Sequence, residues 1–136
     1  MDDVLLNKAE IIERCLARVE ETYIGHEDEL TDNFMRQDAV ILNLQRACEA
    51  SIGGAMHIVR VQKLGSPQNS KDAFVLLAKN DLLDDDLSEK LQAMVGFRNV
   101  AVHTYQVLNI EILKSILDHH LKDFRQFASV LVKNSH

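Results

Sequence analysis

Residues 96–106 read GFRNVAVHTYQ and place an arginine, a histidine and a tyrosine, Arg98, His103 and Tyr105, within eight positions. A permanent cation, a group that titrates near neutrality and a phenol together suit phosphate chemistry. Arg binds phosphate oxygens through a rigid fork of donors, and His moves protons near pH 7. The backbone decides whether they can act together. On an unbroken helix Arg98 and Tyr105 share a face, roughly 10 Å apart, while His103 points about 140° away. If the helix ends near Val100 or Ala101, an extended His103-Thr104-Tyr105 puts both rings on one side, able to fold back over Arg98. A second chain could also supply the missing partner. Spacing alone equally admits a structural role, with Arg98 snorkelling or paired to an acidic residue from the first half and His103 at a helix end.

The elements that must position these residues are helical. Leu5, Ala9, Ile12, Leu16, Val19 and Tyr23 alternate spacings of four and three, which predicts an amphipathic helix from Asp3 to about Tyr23. After IGHEDEL, Thr31 or Asp32 can cap a second helix running to Leu64, with Ile41, Leu44, Cys48, Ile52, Ala55 and Val59 on one face. Gly53 and Gly54 within it cost about 1 kcal/mol each against Ala and mark a close helix crossing or a kink. GSPQNS is a loop ending in Ser70, a cap for a short third helix through KDAFVLLAKN. Asp86 with Glu89 fits a capping box opening the fourth helix, whose apolar positions Leu87, Leu91 and Met94 are followed on the same stripe by Arg98. Asn109 can cap a fifth, with Leu113, Leu117, His120, Phe124, Phe127 and Leu131 as its stripe. No segment sustains strand alternation. The expectation is one all-α domain over residues 1–136, an antiparallel bundle of four longer helices and one short one.

The segment FRNVAVHTY resembles the R-x4-H-x-Y signature of HEPN proteins of the HepT type, the toxin halves of HEPN/MNT toxin–antitoxin pairs. The likeness spans nearly the whole chain: the acidic first helix, the long second helix with its small residues and HIV, the loop around Pro67, FVLLAKNDLL, LSEKLQAMVGFRN and the final amphipathic helix follow in the family's order. The resemblance implies a HEPN-like fold, a homodimer whose two motifs line one cleft, and RNA cleavage with neither metal nor cofactor. It assigns Arg98 and His103 as the catalytic pair, with His103 the base on a ribose 2′-hydroxyl and Arg98 stabilising charge that develops on phosphorus. Asn99 is the polar residue that orients substrate or partner. Tyr105 is the tyrosine that a nucleotidyltransferase antitoxin of the MNT type modifies with AMP, which would block the cleft and repel the RNA backbone. Ala101 and Thr104 stand where larger or acidic residues are often found, which bears on substrate choice. A second function, of a different class, is a non-catalytic nucleotide-binding or docking subunit for a nucleotidyltransferase, with Arg98 holding a phosphate.

Composition narrows the field further. Apolar residues make up 46% of 136 and charged residues 26%, and the formal charge of -6 opposes the broad basic surface of a general nucleic-acid binder. Residues 1–89 hold 9 Lys/Arg against 18 Asp/Glu and residues 90–136 hold 6 against 3, so an anionic ligand is expected to favour the C-terminal part. The N-terminus lacks the pattern of a signal peptide and no run approaches the roughly 20 apolar residues that span a bilayer, so a cytoplasmic protein with no membrane contact is expected. Cys15 and Cys48 lie in helical segments and read as reduced core thiols. Metal sites are not expected: His119 and His120 diverge by about 100° on a helix, His57 reads as a packing residue, and the acidic runs HEDE and DDD lack the alternating spacing of a calcium loop.

Overall fold

The computed structural model describes residues 1–98 and 110–136 in full and, over 99–103, the helical backbone alone. All regular structure among the described residues is helical: α1 (Asp3–Tyr23), α2 (Phe34–Gln62), α3 (Ser70–Lys79), α4 (Asp85–His103), α5 (Ile110–His119) and α6 (Leu121–Lys133), with one 3-10 turn at Glu27–Glu29. The α1 stripe expected from spacing is buried at every position from Leu5 to Tyr23. Its N-terminus is closed by Asp2, whose Oδ1 accepts from the amides of Val4 and Leu5 at 3.0 and 3.2 Å, satisfying two donors the helix leaves open.

The α2 helix is the centre of the bundle. Its expected stripe is buried, but so are Val40, Asn43, Ala47, Ala50, Ser51 and Ile58, because α1, α3, α4 and α6 all pack against it. Gly54 marks a close approach to α6: a Cβ there would stand 2.7 Å from Cδ2 of Leu131. The glycine pair therefore serves a crossing. Phe74 of α3 and Phe127 of α6 meet edge to face, centroids 5.4 Å apart, and join their helices across the core. At the periphery Arg125 of α6 grips Glu20 of α1 through both carboxylate oxygens, at 2.8 and 2.5 Å, which holds the last helix to the first.

Three helix starts differ from expectation. Asn33 rather than Thr31 or Asp32 caps α2, accepting from the amide of Arg36 at 3.0 Å, and Asn69 rather than Ser70 caps α3, accepting from Asp72 at 3.0 Å. At α4 the Asp84 carboxylate accepts from the amide of Leu87 at 2.7 Å, so the cap precedes Asp86, which instead pairs with Lys90 at 2.9 Å. The expected fifth helix is two helices. They part at His120, whose backbone leaves the helical region (φ -120°, ψ 0°). Its carbonyl accepts from the Asp123 amide at 3.1 Å and its Nδ1 lies 2.9 Å from the same residue's carboxylate. His120 thus opens α6 instead of continuing α5.

Candidate active site

Helix α4 builds its outer end from a buried inner one. Leu87, Leu91, Met94 and Val95 lie in the core, so the next turn of the stripe delivers Arg98 to the rim, with its side chain 22% exposed. There it meets α2. Nη1 of Arg98 donates to Oε1 of Glu49 at 2.5 Å, an ion pair between α4 and α2 whose carboxylate is 54% exposed. The Nε of Arg98 is buried without a hydrogen-bond partner among the described residues. One edge of the guanidinium is accordingly held by Glu49.

Cys48, next to Glu49 on α2, lies beneath this corner and donates its thiol to the Met94 carbonyl at 3.6 Å. Burial pushes the Cys48 thiol up to about 12; the nearby Arg98 charge pulls the other way, and Glu49 adds to the rise. The thiol is a packing group. It forms the floor against which the arginine is placed.

Of the backbone alternatives open in the sequence, the helix runs past Val100 and Ala101 to His103. Positions 98 and 103 are therefore separated by about 140° around one helix axis and by about 7.5 Å along it. The side chains of Asn99 and His103, and the whole of Tyr105, lie outside the described residues. The acidic partner of Arg98 from the first half was anticipated in kind, but Glu49 itself had no signal beyond its place beside Cys48 on the buried stripe.

His57 Nε2 stands 2.7 Å from the Asp2 carboxylate and its Nδ1 accepts from Arg60 at 2.9 Å, which ties α2 to the cap of α1 and fixes the proton on Nε2. Among the described residues no three His, Cys, Asp or Glu side chains converge to hold a metal ion, and no helix is long and apolar enough to cross a membrane.

With this geometry in place, three comparisons bear on it. The family model described as Ribonuclease HepT-like matches residues 12–131. The mRNA nuclease HepT of Shewanella oneidensis strain MR-1 is 50% identical over 131 residues, covering 96% of this chain and 98% of that protein. A solved structure of tri-AMPylated Shewanella oneidensis HEPN toxin in complex with MNT antitoxin superposes with a TM-score of 0.92 at 49% identity, covering 98% of this chain and 99% of that one. A second, of a toxin–antitoxin with AMP-PNP, gives 0.92 at 48% identity over 97% and 99% of the two chains.

Proposed function

The chain belongs to the HepT-like ribonuclease family, and from that premise we propose that it is the toxin of a HEPN/MNT toxin–antitoxin pair, an endoribonuclease that cuts RNA without a metal. In this reading residues 1–136 act as one HEPN-like domain in the cytoplasm. His103 takes the proton of a ribose 2′-hydroxyl, which attacks the adjacent phosphorus; the P–O5′ bond breaks, the leaving 5′-oxygen takes a proton from water to become a hydroxyl, and a 2′,3′-cyclic phosphate remains. Arg98 stabilises the charge gathering on the phosphoryl oxygens, and Asn99 orients the substrate.

The observation that carries the reading is the placement of Arg98 at the rim of a buried stripe, where one of its donors is held by an exposed carboxylate. A guanidinium held this way is fixed at the edge of the core, with part of its side chain open to an incoming phosphate. The helical path from Arg98 to His103 supports a symmetric homodimer. Five helical residues set the two positions on different sides of α4, so a second copy across the cleft supplies the complementary group.

Neutralisation follows from the same site. We assign Tyr105 as the residue that an MNT-type nucleotidyltransferase AMPylates. The chain has two tyrosines. Tyr23 is 5% exposed and its hydroxyl donates to Asp118 at 2.8 Å, which leaves Tyr105 as the phenol for modification. Added AMP would bring bulk and negative charge that block the cleft and repel the RNA backbone.

The test is expression of the chain alone. Growth should arrest, RNA should be cut by the purified protein in excess EDTA, and both effects should vanish in His103→Ala. Cleavage that stops with chelation and returns with Mg²⁺ would overturn the metal-free mechanism. Toxicity that survives His103→Ala would overturn the assignment of the base. A protein that binds nucleotide and the nucleotidyltransferase but never cuts RNA would be the docking subunit instead.

A further inference from the structure

The first half of the chain is strongly acidic, yet α1 and α2 enclose a groove of about 580 Å³ lined by Lys8, Arg14, Arg18 and Arg46, with Glu49 as its single carboxylate. The three α1 cations recur along one side of the helix, from residue 8 to residue 18, a run of about 15 Å. Arg14, Arg18 and Arg46 are exposed. Lys8, Arg18 and Arg46 form no ion pair among the described residues, and Arg14 has only a 3.9 Å contact with Glu10 one turn away. Exposed cations without ion pairs among the described residues can take up an anion without first breaking a salt bridge.

The groove joins the candidate active site through one residue. Glu49 lines it and also accepts from Arg98. A chain of phosphates whose reacting member lies at Arg98 would therefore continue along α1 and α2, past Arg46 towards Arg18. We propose that the α1–α2 groove is a binding track for the RNA backbone flanking the cut, holding phosphates through Lys8, Arg14, Arg18 and Arg46. The proposal rests on the ribonuclease reading above and adds to it where the rest of the substrate lies. Its recognition is electrostatic and indifferent to base identity, because Lys and Arg side chains on phosphates carry no sequence information. An acidic face of a protein partner would also suit the cations, but only a polyanion threads both the groove and the arginine at its end.

The experiment measures binding without cleavage. A short 2′-O-methylated single-stranded RNA lacks the attacking hydroxyl, so its affinity for full-length protein can be read by fluorescence anisotropy over a range of salt. Arg18→Glu with Arg46→Glu should bind at least about tenfold more weakly than wild type, and the slope of log affinity against log salt should fall by about 1.4, the loss of two single-strand phosphate contacts. Lys79→Glu with Lys122→Glu, on α3 and α6, changes net charge equally and should retain the wild-type slope. If the Glu pair melts early, Arg18→Gln with Arg46→Gln should show the same loss of slope. A groove variant matching the Lys79/Lys122 control, while wild type binds and cuts RNA, overturns the groove and leaves the ribonuclease intact. Wild type that neither binds nor cuts RNA overturns both. A variant that keeps RNA affinity but no longer associates with the nucleotidyltransferase makes the groove a protein-docking surface, which also overturns the proposal.

Discussion

Arg98 on α4 and Glu49 on α2 are joined by an ion pair in which the arginine is the more buried partner. The pair makes opposite predictions for its two members. Arg98→Ala removes a contact that strengthens as charge builds on phosphorus, so RNA cleavage should fall by about 10² to 10³ or more, with the far-ultraviolet circular dichroism unchanged. Glu49→Gln removes a negative charge that competes with phosphate for the same donor. An exposed pair is worth about 1 kcal/mol or less, so substrate affinity should rise by up to about fivefold with little change in melting temperature. A Glu49→Gln protein that binds RNA more weakly would show that the carboxylate orients Arg98 rather than competes for it.

Tyr105→Phe separates regulation from catalysis. It keeps the ring and removes the hydroxyl, so the variant should still cut RNA at least in part yet accept no AMP from its partner enzyme and ATP. Intact mass before and after incubation reads the outcome directly: AMP-sized additions on wild type, none on the variant. Because Tyr23 is buried and hydrogen-bonded, Tyr23→Phe should be modified as wild type is. AMP on Tyr105→Phe would move the target to another hydroxyl.

Tyr23 instead gives an alkaline signature. Burial first, then the hydrogen bond to Asp118 and the charges of Asp118 and Glu27, push its phenol up to about 12. The folded protein then keeps a proton that the unfolded chain releases near pH 10. The stabilisation is full below about pH 10 and is lost as pH rises towards 12. Tyr23→Phe should therefore cost about 1.5–3 kcal/mol in urea unfolding at pH 8, the range for a hydrogen bond to a charged group. The difference from wild type should shrink steadily above pH 10. A constant difference across that range would show that the phenol's proton plays no part.

The sequence revealed faces better than it revealed breaks. The α1 stripe was legible because burial on one side imposes a period that one-dimensional spacing preserves. The same spacing runs unbroken from Leu117 through His120 to Phe124, although the helix stops there. Periodicity reports which residues face the core, and a local Asp123–His120 interaction can reset the backbone without disturbing that phase. Caps were legible only as a class, since any polar residue in TDN or NS can serve. Arg98 drew notice as a charge on an apolar stripe. The basic groove did not, because its cations lie on two helices, far apart in sequence and within the more acidic half of the chain. The expected bias of an anion towards the C-terminal part thus overlooks a cationic surface that folding assembles from the first half.

Cys48 lies close to Arg98, and a thiol beside a guanidinium is often read as reactive. Burial outweighs that influence here and pushes the thiol up to about 12, so little thiolate forms at pH 8. Iodoacetamide at pH 8 should leave Cys48 unmodified in the native protein and alkylate it fully in denaturant, as read by peptide mass. Equal labelling in both states would mean that the α2–α4 contact opens readily, and the fixed placement of Arg98 would fall with it.

Gly53 and Gly54 are neighbours in α2 and should respond oppositely to the same change. Replacing either by Ala gains about 1 kcal/mol of helix propensity. At Gly53 the new Cβ would stand 3.1 Å from Cε of Lys8, part of a long side chain that can swing aside, so the propensity gain should prevail and the protein should melt higher. At Gly54 it would stand 2.7 and 2.8 Å from the two methyls of Leu131, which is fully buried and packed. Crowding of that kind costs about 1–3 kcal/mol, which cancels or exceeds the gain, so Gly54→Ala should melt no higher than wild type and below Gly53→Ala. Leu131→Val, which gives up volume at the crossing, should destabilise the wild type but cost less, or even help, when combined with Gly54→Ala. The double-mutant cycle measures that coupling. Additive effects would show that α2 and α6 do not meet through Gly54 and Leu131.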